Sequence, residues 1–89
     1  MKAVITVIGK DNVGIIAKVS AKCADFGVNI LDITQKVFTD TFAMIMMVDI
    51  SGLGDGFSAF ADCLENLGKE SGLVIKTVHE DLFNSMHRI

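Results

Sequence analysis

Several residue types that mark particular functions are scarce in this 89-residue chain. It has no tryptophan and no tyrosine, and its six phenylalanines do not alternate with basic residues as in a base-stacking platform. Its eight lysines and arginines are scattered and its net charge is −3, whereas nucleic-acid binding depends on clustered positive charge. No run approaches the roughly 18 apolar residues of a membrane span. The sequence therefore argues against direct nucleic-acid binding and against a membrane-spanning segment.

Cysteine is also scarce, and the spacing of the two cysteines excludes the common metal and redox motifs. Cys23 and Cys63 form no C-x-x-C pair, so we interpret both as buried small hydrophobic residues in a reducing, cytoplasmic compartment. His79 and His87 have no Cys or carboxylate partner at metal-ligand spacing, which favours surface or helix-capping roles. We therefore expect neither a metal site nor a cofactor.

Apolar residues, in contrast, are abundant. Hydrophobic residues make up 51% of the chain and charged residues 21%, a composition typical of one packed domain. A domain this small buries only roughly 60–65% of the surface that its unfolded chain exposes, so association with a second copy would add useful burial. We predict one domain over residues 1–79 and a helical tail over residues 80–89.

The order of the apolar patterns predicts a β-α-β-β-α-β chain followed by the tail. Strands are predicted over residues 2–8, 28–38, 42–50 and 73–79. Apolar residues at helical spacing indicate two main helices and the tail, namely Ile16, Val19, Cys23 and Phe26, then Phe57, Phe60, Leu64 and Leu67, then Leu82, Phe83, Met86 and Ile89. This order predicts an α+β fold, the ferredoxin-like sandwich. Its four-stranded antiparallel sheet has the strand order 4-1-3-2, with both main helices on one face.

The third strand is apolar on both of its faces. Phe42, Met44 and Met46 point to one side, while Ala43 and Ile45 point to the other, yet two helices cover only one side of the sheet. Because apolar patches larger than a few hundred Å² normally mark interfaces, we expect the tail helix and a second copy to share the cover of the other side. The alternative is that the tail helix alone suffices.

The loop Gly9-Lys10-Asp11-Asn12-Val13-Gly14 connects the first strand to the first helix. Free backbone N–H groups and the positive end of the helix dipole converge there, which suits a carboxylate or a phosphate. Asp11 and Asn12 can each cap the helix or hydrogen-bond an ammonium group, and Gly14 would let a ligand approach the backbone closely. From the residues alone, helix capping is favoured as the sole role of this loop.

The motif Gly-x-Asp-x-x-Gly, followed by Gly27-Val28-Asn29 at the second strand, resembles the ACT family of amino-acid-sensing domains. The resemblance covers residues 3–79 and is closest to the small single-domain group related to the glycine cleavage system regulator. It implies that one copy holds the ligand's amino group and carboxylate and that a second copy completes the site. The residues so implied are Asp11 for the amino group, the backbone of Asn12, Val13, Gly14 and Ile15 for the carboxylate, and Asn29 from the partner.

The resemblance implies a non-catalytic regulatory domain that binds an amino acid or similar small ligand at a homodimer interface. The sequence holds no catalytic or DNA-binding domain, so we expect its signal to pass through a separate protein. Val13 stands where many ACT members have proline, and the chain has no proline, which implies a less rigid loop.

Two alternatives stay open. An acylphosphatase-like small hydrolase would need an arginine early in the first helix to clamp a phosphate with two hydrogen bonds. The nearest counterpart, Lys18, cannot make that two-pronged contact. The other alternative is a structural protein-interaction module that binds no ligand.

Overall fold

The computed structural model describes residues 1–10 and 14–86. In these ranges the chain forms a β-α-β-β-α-β order with a third helix at the end, and a short 3₁₀ turn at Ser51–Leu53 precedes the second helix. The elements are β1 (Lys2–Lys10), α1 (Ile15–Asp25), β2 (Asn29–Phe38), β3 (Thr41–Asp49), α2 (Phe57–Ser71), β4 (Leu73–His79) and α3 (Glu80–Met86). Each predicted strand agrees with its observed bounds to within two residues. Ile89, which we assigned to the apolar side of the tail, lies outside the described residues.

The four strands form one antiparallel sheet in the order β2-β3-β1-β4. This is the predicted order 4-1-3-2 counted from the other edge, so the α+β ferredoxin-like fold is confirmed. β1 and β3 are the central strands, which explains why both are apolar on both faces. β2 is an edge strand, and Asp32, Thr34 and Lys36 along it are exposed. Polar and charged side chains on an edge strand oppose its pairing with strands of other chains.

α1 and α2 lie on the same side of the sheet, and the main core fills the space between helices and strands. Fully burying one large apolar side chain contributes about 1.5–3 kcal/mol, so this core supplies most of the stabilisation of the domain. Its largest fully buried members are Phe60, Ile5, Met44, Met46 and Leu64. Burial raises the pKa of the Cys23 thiol to about 11, which keeps it neutral and unreactive.

α1 ends in a left-handed turn at Gly27, as the sequence predicted. The φ angle of Gly27 is 71°, and its N–H donates a 3.1 Å hydrogen bond to the carbonyl of Ala24. The N–H of Val28 donates to the carbonyl of Cys23 at 2.8 Å, which completes the paired hydrogen bonds of a Schellman turn. This turn sets the point at which β2 begins and therefore the position of Asn29.

α2 lies in tight contact with β4 at Gly68. A Cβ on this buried glycine would lie 2.8 Å from the carbonyl oxygen of Leu73 and 3.0 Å from Cγ1 of Ile75. Even a methyl group is too large for that space. In the sequence, a glycine inside a helix only lowers the expected helix stability, so its packing role was not predicted.

Candidate functional site

The connection between β1 and α1 lies at one end of the sheet. β1 ends at Lys10, which pairs with Thr41 at the start of β3. Gly14 is the N-cap of α1, with a φ angle of 84°, and its carbonyl accepts a 3.0 Å hydrogen bond from the N–H of Lys18. A positive φ is easy only for glycine, and the space next to Gly14 is open, because a Cβ there would meet no described atom within 4 Å.

Three of the six predicted ligand-binding residues, Asp11, Asn12 and Val13, lie outside the described residues. Ile15 is the first residue of α1 and is only 2% exposed, so its side chain belongs to the core. Its backbone N–H is one of the first-turn donors that have no acceptor within the helix. Gly14 and Ile15 therefore provide open space and, counting only acceptors in residues 1–10 and 14–86, an unpaired backbone donor at the start of α1.

Asn29, the sixth predicted residue, is exposed at the start of β2. It pairs with Asp49, the last residue of β3, and Asp49 pairs in turn with Lys2, the first residue of β1. The alternation of side chains along a strand puts these three residues on the side of the sheet that faces away from α1 and α2. Asn29 therefore lies in a polar cluster at the end of the sheet where β1 begins.

Asp49 is the centre of this cluster. Its Oδ1 accepts hydrogen bonds from the hydroxyl of Ser51 at 2.6 Å and from the N–H of Ser51 at 2.9 Å. The Met1 ammonium group donates to the Ser51 hydroxyl at 3.1 Å and lies 3.9 Å from Asp49 Oδ1. The hydrogen bonds from Ser51, more than these charges, lower the pKa of the Asp49 carboxyl below its usual 3.8.

The strand register shows that the two halves of the predicted site lie at opposite ends of the sheet. Lys2, beside the Asn29 end, is eight residues from Lys10, where the loop towards Gly14 begins. At about 3.3 Å for each residue, the two ends are about 26 Å apart. Asn29 cannot contact an amino acid that is held at Gly14 of the same chain. A site that uses both residues needs two copies.

The side of the sheet away from α1 and α2, called the open face from here on, is only partly covered. α3 packs against β1 and β4 at the Lys2 end, where Val4 is fully buried. Towards the Lys10 end, Ile8, Ile45 and Val74 are 51%, 45% and 58% exposed. Among the described residues, the tail helix therefore shields one end of this face and leaves the other end bare.

An apolar groove of about 480 Å³ lies in the bare part of the open face. Phe83 of α3 forms one side of it, and side chains from β1, β3 and β4 form its floor. The lining residues on the open face are Thr6, Ile8, Ala43, Ile45, Lys76 and Val78. Thr6 and Lys76 are the polar members of this set, so the groove presents a hydrophobic surface with a cation at its edge.

Two of our residue assignments need correction. The ring of His79, to which we gave a surface or capping role, is half-buried and stacks on Phe57 at 4.2 Å between centroids. Cys63 is half-buried rather than buried. No local pattern links Phe57 to His79, because their contact depends on how α2 lies against β4. Within the described residues, no group of three His, Cys, Asp or Glu residues is placed to hold a metal ion.

Comparison with known proteins identifies the class to which this fold and site belong. The family model described as ACT domain matches residues 2–78. The chain is 48% identical to a UPF0237 protein of Clostridium acetobutylicum over the full length of both chains. It is 44% identical to a UPF0237 protein of Methanocaldococcus jannaschii, over 99% of this chain and 98% of the relative. The chain belongs to the ACT domain family, a family of regulatory ligand-binding domains.

Solved structures agree with this assignment. An ACT domain protein from Streptococcus pneumoniae is 38% identical, covers 98% of both chains and superposes with a TM-score of 0.81. A putative glycine cleavage system transcriptional repressor is 25% identical with a TM-score of 0.71, over 85% of this chain and 43% of that one. The regulatory subunit of aspartate kinase from Thermus thermophilus is 28% identical with a TM-score of 0.66, over 85% of this chain and 49% of that one. The resemblance to small ACT proteins is therefore confirmed. None of the described helices is long and apolar enough to cross a membrane.

Proposed function

We propose that this chain is a non-catalytic regulatory domain that binds an amino acid, or a similar small ligand, between two copies of itself. Its membership of the ACT family supports a regulatory ligand-binding role. The observation that carries the proposal is the separation of about 26 Å between the Gly14 end and the Asn29 end of one sheet. If both ends belong to one binding site, that site is shared between two chains.

The chemistry of a free amino acid suits the groups available at these two ends. Its carboxylate would accept hydrogen bonds from backbone N–H groups at the first turn of α1, beginning at Ile15, where the helix dipole is positive. In this proposal, the carboxylate of Asp11 holds the ammonium group. The amide of the partner's Asn29 offers a donor and an acceptor, so it can contact either end of the ligand.

Binding between two copies would also provide a means of signalling. A ligand that binds the dimer and not the separate chains stabilises the dimer by mass action. A separate protein that recognises only the dimer would then respond to the ligand concentration. The change that such a partner detects is the state of association, and this mechanism needs no catalytic step in the domain.

Thermal unfolding of the wild-type chain in the presence of each of the twenty amino acids tests the proposal. A ligand at 100 times its Kd adds about 2.7 kcal/mol of stability. For a domain of this size, each kcal/mol raises Tm by about 4–8 °C. We expect one amino acid, or a small chemical group of them, to raise Tm well above the rest.

The Asn29→Ala variant should lose this Tm shift. The exposed Asn66 on α2, which the proposed site does not include, provides the matched control, and Asn66→Ala should keep the shift. The assignment of an amino acid as the ligand is wrong if none of the twenty raises Tm at millimolar concentration. The proposal is wrong if Asn29→Ala responds as the wild type does.

A further inference from the structure

The open face is covered by α3 at one end and is exposed to solvent at the other. α3 contacts β1 and β4 at the Lys2 end. On the same two strands, Ile8 and Val74 form a directly paired, exposed couple near the opposite end. One end of the face thus has a helix, and the other end has a groove that no described helix fills.

α3 in turn has surface that its own sheet does not use. Leu82 belongs to the apolar stripe of the tail, yet it is 53% exposed, while the neighbouring Phe83 borders the groove. The first turn of α3 is acidic, with Glu80 and Asp81. Both carboxylates line a small cleft together with Lys2 of the same chain. The helix therefore presents one exposed apolar side chain next to two carboxylates that already lie near a cation.

The bare end of the open face has the complementary character. Lys10 and Lys76 lie on β1 and β4 with their side chains on this face, by the alternation from Ile8 and Val74. Neither lysine forms an ion pair with a described residue. Asp40 lies in the exposed turn between β2 and β3 at this end, and Asp11 directly follows Lys10 in the sequence. The groove is thus apolar, with Lys76 at its edge and Lys10 two residues beyond Ile8 on β1, in a chain whose net charge is −3.

We propose that two copies dock reciprocally, with α3 of each copy lying against the groove of the other. Leu82 enters the partner's groove beside the partner's Ile8 and the partner's Val74. Glu80 and Asp81 face the partner's Lys10 and the partner's Lys76. The contact is therefore made twice, once in each direction, as in other two-fold interfaces.

Two-fold symmetry between the two copies permits this arrangement. A two-fold axis that runs parallel to the sheet, above the open face and perpendicular to the strands, places β1 over the partner's β1 with the strand direction reversed. The end that carries α3 then lies over the bare end of the partner, so both bare ends are covered together. A stable interface buries about 800 Å² on each partner, roughly one seventh of the 5559 Å² that this chain exposes.

This inference is independent of the proposed function, because a two-fold contact over the open face leaves Gly14, on the helix side, away from the partner's Asn29 and does not itself form the shared ligand site. It names a docking surface that does not include Gly14, Ile15 or Asn29. The association of the two copies and the binding of an amino acid can therefore be measured and fail independently.

The association constant, measured by sedimentation equilibrium, tests the docking surface. We expect the wild type to dimerise at micromolar concentration and Leu82→Glu to weaken association at least tenfold, because it buries a charge in the groove. The control is Val37→Glu, which adds the same charge at a residue that is 58% exposed on the other side of the sheet. This control should associate as the wild type does, and circular dichroism checks that both variants are folded.

A charge exchange tests the orientation of the helix. Lys76→Glu alone and Asp81→Lys alone should each weaken association, and the double variant should recover most of the loss.

The inference is overturned by a monomeric wild type, by a Leu82→Glu variant that is fully dimeric, or by a double variant that associates more weakly than both single variants. If Leu82→Glu stays dimeric but an amino acid still raises Tm, the docking surface is wrong and the proposed function stands. If the association of Leu82→Glu is weakened but no amino acid raises the Tm of the wild type, the docking surface stands and the assignment of an amino acid as the ligand is wrong.

Discussion

The rings of Phe57 and His79 stack with 4.2 Å between their centroids and 26° between their planes. Phe57 is the first residue of α2, and His79 is the last residue of β4, directly before α3 begins. The stack therefore joins the helix layer on one side of the sheet to the point where the chain crosses to the open face. The position of α3 depends on this contact as well as on its own packing.

Replacing His79 tests the importance of this stack. An aromatic pair contributes about 0.5–1.5 kcal/mol beyond the area that it buries, so His79→Ala should lower the free energy of unfolding by about 1–2 kcal/mol. Urea unfolding followed by circular dichroism measures the change. His79→Phe keeps a ring in place and should retain most of the stability. Equal losses in the two variants would mean that the stack contributes nothing.

Gly68→Ala separates helix propensity from packing. In a free helix this change would add about 1 kcal/mol of stability. Because the new Cβ would lie 2.8 Å from the carbonyl oxygen of Leu73, we expect a net loss of about 1–3 kcal/mol instead. Ser58→Ala, at an exposed position of the same helix, should change the stability by less than about 0.5 kcal/mol. A Gly68→Ala variant that is more stable in urea than the wild type would contradict the close contact.

Most of the fold could be predicted because the pattern of apolar residues indicates which strands are covered on both faces. The two-sided apolar strands are central, and Gly27-Val28 marks the end of α1, as the structure shows. The contacts at Gly68 and at His79 could not be predicted, because each depends on how an entire helix lies against β4. The register shift at Leu31 was not predicted either, and it lets Ile30 and Ile33 both face the helix layer.

The candidate site was predictable in its residue types but not in its geometry. The sequence pattern assigned Asn29 and Gly14 to one site without stating how far apart they lie. Only the pairing of Asn29 with Asp49, and of Asp49 with Lys2, reveals that they occupy opposite ends of one sheet. The number of residues between Gly14 and Asn29 does not show this separation, because α1 returns the chain towards the end of the sheet where β1 begins.

The carboxyl group of Asp49 should make stability depend on pH in the acid range. Its pKa in the folded chain is below 3.8, because it accepts two hydrogen bonds from Ser51. Its contribution is therefore fully present above pH 3.8 and is lost as the pH falls through the lower, folded pKa. The stability difference between the wild type and Asp49→Asn should shrink over that interval in urea unfolding experiments.

Ser51→Ala removes the 2.6 Å hydrogen bond and provides a second test of the same effect. In this variant, the pKa of Asp49 should move back towards its usual value, as measured by NMR titration of the side-chain carboxyl carbon. An unchanged pKa would show that the hydroxyl of Ser51 does not hold the carboxylate in its charged form.

The sharing of one ligand site between two copies is tested most directly by mixing Asp11→Ala and Asn29→Ala chains and titrating the best amino acid from the thermal screen by calorimetry. Each variant alone should bind nothing. In an equal mixture, each mixed dimer has one intact site, so about one quarter of the wild-type capacity should return, with wild-type affinity. A mixture that binds no more than the separate variants would contradict the shared site.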